Sequence, residues 1–161
     1  ARIAAIYEGT NGIQAIDLVA RKLPLSGGKA VSAYIDELRG IVEKVAASND
    51  PAFGWTPIRL GEAVESLARA TQWMLEHSGK EADAALAGAT PYLRLFGLAA
   101  GGCLLAQQAL AALRLGDGAA ARVALARFFA ENLCVQASGL ERTIVEGAPG
   151  LLGAEAALAV D

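Results

Sequence analysis

The fold class is decided by residues 90–115, which read TPYLRLFGLAAGGCLLAQQALAALRL. Thr90 is a residue that favours a helix N-cap, and Pro91 then falls in the first helical turn, where its missing N–H costs nothing. The residues that follow are apolar on nearly every side, which predicts a long helix at the centre of the molecule. Gly97, Gly101 and Gly102 lie inside it. Because an interior glycine costs a helix about 1 kcal/mol relative to alanine, we expect neighbouring helices to approach closely there.

Apolar residues at helical spacing predict further helices around this central one. The predicted elements are a helix over 29–47, a helix over 56–77, a short helical turn over 80–88, a helix over 117–146 that Asp117 caps and that breaks near Gly139, and a short alanine-rich helix within 151–160. Short connections between long helices are typical of antiparallel bundles. The sequence therefore predicts an all-α fold, an antiparallel up-down bundle of about four long helices.

One helix precedes this bundle and is predicted over residues 10–22, with Thr10 as its N-cap and an end at Leu23-Pro24. Residues 25–28, Leu-Ser-Gly-Gly, form a connector that we expect to be flexible. The connector predicts a boundary between residues 1–26 and the bundle of residues 27–161. The first helix need not belong to the bundle.

Composition excludes several classes of function. The chain has 161 residues, of which 54% are hydrophobic and 19% charged, so it can bury a core and is not disordered. Its net charge is −3, with no basic block that would attract nucleic acid or an anionic membrane. The longest stretch without a polar residue, 95–106, is shorter than the roughly 20 residues of a membrane span.

Cys103, Cys134 and His77 are the remaining reactive side chains. The two cysteines lie in apolar helical patterns and are interpreted as buried free thiols, with a disulfide or a reactive thiol as alternatives. We expect a reducing, cytoplasmic compartment from this usage. A single histidine has no partners at ligand spacing, so no metal site is predicted.

The candidate for chemistry is Glu8, within residues 6–14, IYEGTNGIQ. A carboxylate beside a helix start, followed by Gly9 where a ligand can approach closely, is a candidate general base. Burial would raise the pKa of Glu8, whereas the start of the next helix would favour the carboxylate. The alternative is that Glu8 belongs only to a turn before the helix.

Residues 6–15, IYEGTNGIQA, together with residues 17–23, DLVARKL, resemble the C-terminal catalytic segment of the acyl-CoA dehydrogenases. The rest of the chain is loosely similar to the extra C-terminal helical domain of the larger members of that family. The connector Leu-Pro-Leu-x-Gly-Gly, residues 23–28, is similar to that of the set that includes methylthiopropionyl-CoA dehydrogenases.

This resemblance implies an FAD-dependent oxidoreductase that removes the α-proton of an acyl-CoA thioester and passes the β-hydride to flavin. It also implies an electron-transfer acceptor and a homo-oligomer as partners. The implied roles are the base for Glu8, substrate contact for Gly9, and FAD contact for Thr10, Asn11, Gly12 and Gln14. Because the family builds its site with a β-domain that has no counterpart in this pattern, we expect the chain alone to bind no flavin and to be inactive. The alternative is a stand-alone helical module for interaction or oligomerisation.

Overall fold

The computed structural model describes residues 10–116 and 118–158, apart from the side chains of 155–157. Within these ranges the chain forms helices and turns and no strand, which confirms the all-α prediction. The α-helices are α1 (Asn11–Asp17), α2 (Lys29–Ala47), α3 (Thr56–His77), α4 (Ala82–Ala87), α5 (Ala89–Leu115), α6 (Ala119–Asn132), α7 (Ala137–Glu146) and α8 (Ala148–Leu158).

Successive long helices run antiparallel. Thr71, late in α3, shares a hydrogen bond of 2.8 Å between its Oγ1 and the Oη of Tyr92, early in α5. Leu60, early in α3, instead faces Gly102 in the second half of α5. The same reversal relates α2 to α3 through Arg39–Glu65 and Gly28–Leu75, and α5 to the α6–α7 segment through Gly101–Phe129 and Arg94–Gln136.

Helix α5 is the central element, as predicted. It packs against α1, α2, α3, α6 and α7, and Tyr92, Leu95, Ala99 and Cys103 along it are 0% exposed. By length and composition alone α5 could cross a membrane. Five other helices pack around α5, and the core helix of a bundle has the same apolar character.

The glycines of α5 differ from one another. A Cβ added to Gly102 would lie 2.6 Å from Leu60 Cδ2 and 2.9 Å from Cys134 Sγ, so the expected close approach is confirmed there. Gly101 has ordinary van der Waals room, with Phe129 Cζ at 3.5 Å. At Gly97 an added Cβ would meet nothing within 4 Å, so the prediction is wrong for that position.

The last long helix is interrupted, but not where the sequence predicts. The break is a 3₁₀ turn, Cys134–Gln136, which follows Leu133 with its backbone at φ −108° and ψ −46°. Gly139, the predicted break, lies inside α7. The turn directs Cys134 into the core, where its Sγ lies 3.5 Å from the carbonyl oxygen of Leu98. Burial of this side chain therefore determines the break. Asp117, the predicted cap of this helix, lies outside the described residues.

The sequence also predicts N-caps at Thr10 and Thr90, but neither side chain caps a helix in the structure. Thr10 precedes α1 with helical backbone angles, φ −89° and ψ −10°, and its side chain makes no capping hydrogen bond. Thr90 is the second residue of α5, because that helix begins at Ala89. An N-cap residue normally has extended backbone angles, which neither position provides.

Helix α1 is separated from the bundle along the chain but shares its core. Ala15, Val19 and Leu23 are 0%, 1% and 2% exposed and belong to the same apolar cluster as the buried residues of α2, α3 and α5. After Asp17 the chain continues as a π-helical turn, Leu18–Lys22, in which the N–H of Leu23 bonds the carbonyl of Leu18 at 2.8 Å. The boundary between residues 26 and 27 stays a prediction.

The connector is a tight turn. Ser26, Gly27 and Gly28 all have left-handed backbone angles, at φ 55°, 65° and 81°. The N–H of Gly27 bonds the carbonyl of Pro24 at 3.0 Å. Two glycines are suited to this turn because left-handed angles are strained for other residues.

Candidate functional site

The described part of the predicted site is the first turn of α1. Glu8 and Gly9 lie outside the described residues, so the structure gives no position for the predicted base or for the predicted substrate contact. The four residues predicted to contact FAD are described. Asn11, Gly12 and Gln14 are exposed and Thr10 is half-buried.

The first turn of α1 is exposed and carries no acidic side chain, so no carboxylate there offsets the positive end of the helix. Asn11 and Gln14 bring side-chain amides, and the space over Gly12 is open, since an added Cβ would meet nothing within 4 Å. These groups are free of covering side chains, and the FAD contact assigned to them stays a prediction.

The buried side of α1, which anchors the helix, is not among the features predicted from the sequence. Ala15 is fully buried directly after Gln14, and Val19 and Leu23 follow it at steps of four residues. That spacing is the signal that identifies the buried stripe. Ile13 and Ile16, which carry more apolar surface, are instead 65% and 48% exposed. The outward side of α1 is therefore apolar beside the exposed amides.

The other reactive side chains have structural roles. Cys103 and Cys134 are buried free thiols, as predicted, and burial raises the pKa of each to about 12. His77 stacks on Trp73 with ring centroids 4.3 Å apart, and its Nδ1 lies 2.8 Å from the Trp73 carbonyl oxygen. Among the described residues no group of three or more His, Cys, Asp or Glu side chains could hold a metal.

A surface cleft of about 580 Å³ lies between α3 and the turn that joins α6 to α7. Its charged side chains pair with acidic or basic neighbours. Arg69 binds Glu141 through two hydrogen bonds of 2.6 and 2.7 Å and holds the pKa of that carboxyl below its usual value. Arg59 binds Glu62 at 2.8 Å. Because these charges satisfy one another, they stabilise the helix packing and offer little to a charged ligand.

Comparison with known proteins agrees with the resemblance seen in residues 6–23. The sequence profile of the family described as "Acetyl-CoA dehydrogenase C-terminal like" matches residues 34–155. The chain is also 34% identical, over 160 residues, to the 3-methylmercaptopropionyl-CoA dehydrogenase of Ruegeria pomeroyi. That similarity covers 96% of this chain and 27% of the relative, so the chain spans about a quarter of the relative's length. The chain therefore belongs to the acyl-CoA dehydrogenase family, and it corresponds to the C-terminal part of the family's larger members.

Proposed function

We propose that this chain is part of an FAD-dependent acyl-CoA dehydrogenase, in which Glu8 removes the α-proton of an acyl-CoA thioester. The observation that carries the proposal is the 34% identity to a dehydrogenase across 96% of the chain. The exposed, amide-bearing first turn of α1 supports it, because Glu8 lies only three residues before Asn11, where that helix begins.

The reaction assigns separate tasks to the side chains. A carboxylate oxygen of Glu8 takes the α-proton, and Gly9 leaves room for the thioester beside it. FAD, when bound, supplies the acceptor for the hydride that leaves the β-carbon. Loss of the proton and of the hydride leaves a carbon–carbon double bond conjugated with the thioester. Thr10, Asn11, Gly12 and Gln14 would hold the flavin.

The pKa of Glu8 decides its strength as a base. An acyl chain that excludes water would raise the pKa through desolvation, and a raised pKa makes the carboxylate a stronger base. A helix N-terminus close to the carboxylate would act in the opposite direction and lower the pKa.

The substrate class follows from the relative. We expect a short thioester of coenzyme A that resembles the 3-methylmercaptopropionyl-CoA in the relative's name. The full-length enzyme would form homo-oligomers and pass its electrons to a separate acceptor. Because the chain spans only 27% of the relative, we expect the 161-residue chain purified alone to be colourless and inactive.

The proposal is tested by Glu8→Gln in the full-length flavoprotein. Removal of a general base costs roughly 10²–10⁴-fold in rate, so we expect turnover with acyl-CoA to fall by at least 10²-fold while the flavin absorbance per protein stays unchanged. Glu43→Gln, at an exposed position of α2, is the matched control and should keep turnover. Near-normal turnover in Glu8→Gln would show that Glu8 is not the base.

A further inference from the structure

One side of α2 carries small and charged residues at seven-residue steps. Ala33, Gly40 and Ala47 are seven residues apart, and Glu37 and Lys44, also seven apart, lie between them. Steps of three and four residues place all five on one side of the helix, which we call the Gly40 face. The four residues other than glycine are exposed, and a Cβ built on Gly40 would meet nothing within 4 Å. The described part of the chain therefore leaves the Gly40 face uncovered.

A groove beside the Gly40 face adds exposed apolar surface. It lies between α2 and α5, has a volume of about 290 Å³, and is lined by Gly40, Ile41 and Leu104 among other residues. Leu104 is 47% exposed although it lies in the central helix. A seven-residue repeat keeps one side of a helix turned towards a partner helix, and small residues on that side let the two backbones approach closely. The Gly40 face thus has the pattern of a helix that packs against another helix.

The two charges of the Gly40 face lack partners within one chain. In the part of the chain that the structure describes, neither Glu37 nor Lys44 forms an ion pair, whereas Arg39 on the same helix binds Asp36. Seven residues at 1.5 Å each separate Glu37 from Lys44 by about 10 Å along the helix, which is too far for a direct ion pair. A lysine suits the last turn of α2, but that preference does not explain the carboxylate. An acid and a base on either side of Gly40 complement the same face of a helix that runs in the opposite direction.

We propose that the Gly40 face binds the same face of a second copy of this chain, with the two α2 helices antiparallel and a two-fold axis close to Gly40. This axis sets Glu37 of one copy opposite the partner's Lys44, and symmetry forms the same ion pair a second time. Leu104 lines the same groove as Gly40, so the axis also brings the two Leu104 side chains together. A second copy is the partner that fits, because the charges of the face complement themselves. The surface is independent of the proposed catalytic role, since it involves neither flavin nor substrate.

Charge reversal tests the pairing in the 161-residue chain by sedimentation equilibrium. Lys44→Glu brings two carboxylates together at each contact, and Glu37→Lys brings two ammonium groups together. We therefore expect the Kd of each variant's dimer to rise by about tenfold or more. In an equimolar mixture each acidic copy meets a basic one, so the Kd of the mixed dimer should return to within about threefold of the original. Loss of folding in either variant could not produce this recovery.

Gly40→Leu tests the close approach of the two helices. Its side chain has room in a single copy, because an added Cβ meets nothing within 4 Å, and leucine favours helix more than glycine does. Between two copies it would hold the α2 helices apart, so we expect the Kd to rise by about tenfold or more. Gly139→Leu, at an exposed glycine inside α7 with equally open space, is the matched control and should leave the Kd unchanged.

The full-length flavoprotein distinguishes a second copy from other partners. With Gly40→Cys, oxidised glutathione should link two copies through a disulfide, because the two backbones meet at this position. Gly139→Cys is the control and should give little linked product. The native thiols Cys103 and Cys134 are buried and do not compete.

Three results would each overturn the proposal. The first is an original chain that stays monomeric up to about 1 mM. The second is a mixture of the two reversed variants that associates no better than either variant alone. The third is a Gly40→Cys protein that links no better than Gly139→Cys, which would assign the Gly40 face to another part of the full-length polypeptide.

Discussion

Replacement of glycine by alanine should have opposite effects on the stability of the fold at Gly97 and Gly102, two positions in α5. Both lie in the interior of α5, so replacement by alanine should gain the helix-propensity difference of about 1 kcal/mol at each. They differ in their surroundings. A Cβ at Gly97 has open space, whereas a Cβ at Gly102 would lie 2.6 Å from Leu60 Cδ2 and 2.9 Å from Cys134 Sγ.

The neighbours of Gly102 have little room to move. Leu60 is 0% exposed and Cys134 is 1% exposed, so relief of the overlap requires helix α3 or the turn after α6 to shift. Overpacking of this kind costs about 1–3 kcal/mol. After the propensity gain of about 1 kcal/mol, we expect Gly102→Ala to destabilise the fold by up to about 2 kcal/mol, and Gly97→Ala to stabilise it by about 0.5–1 kcal/mol.

Urea unfolding of the 161-residue chain, followed by circular dichroism, measures both values. The two variants should differ by about 1–3 kcal/mol at unchanged m-value, which in a chain of this size corresponds to a difference in Tm of several degrees. If Gly102→Ala were as stable as Gly97→Ala, the close contact among α3, α5 and the α6–α7 turn would be refuted.

The remaining predictions concern thiols and one ion pair. Cys103 and Cys134, whose pKa values burial raises to about 12, should react with a thiol reagent at neutral pH only after urea unfolds the chain; fast labelling of the native protein would contradict their burial. Arg69 lowers the pKa of Glu141 from its ordinary 4.5, so the pair stabilises the fold above that value and ceases to do so as pH falls through the lowered pKa. Glu141→Gln should therefore lower the unfolding free energy at pH 7 and flatten its decline as pH falls below about 4.5. An equal decline in both proteins would show that other carboxyls determine the acid sensitivity.

Most of the fold could be predicted because helical periodicity reports burial directly. The bounds predicted for α2, residues 29–47, are those of the structure, since apolar side chains recur along it at steps of three and four. The break after α6 could not be predicted in the same way. It depends on Cys134 reaching the Leu98 carbonyl across the bundle, a contact between residues far apart in sequence. Gly139, a residue that disfavours helix, predicts the break at the wrong position.

The loop before α3 shows the same limit on a smaller scale. Phe53 and Trp55 are both aromatic residues beside Gly54, and nothing local distinguishes them. In the structure Phe53 is 1% exposed and Trp55 is 60% exposed. The side of the loop that faces the core is determined by α6, because Glu131 accepts the N–H of Trp55 at 3.0 Å and so fixes the orientation of the loop.

The candidate site could be predicted only as a sequence resemblance. The roles assigned to Glu8, Gly9, Thr10, Asn11, Gly12 and Gln14 stay predictions, whereas the spacing of Ala15, Val19 and Leu23 would have shown that α1 is anchored. Apolar content alone favours Ile13 and Ile16, which lie on the solvent side. Which face of a helix is buried depends on the surface of the neighbouring helices, and the sequence of the helix alone does not give that surface.

The shared core of α1 and the bundle bears on how such a domain can be exchanged between relatives. A chimera joined at the glycine connector would pair one protein's α1 with another protein's α5, and the side chains of Ala15, Val19 and Leu23 would meet a surface that did not evolve with them. The unit that can be recombined is therefore the bundle together with the helix before it. Substitutions on the two sides of the connector are expected to covary during divergence, although the connector looks like a natural cutting point.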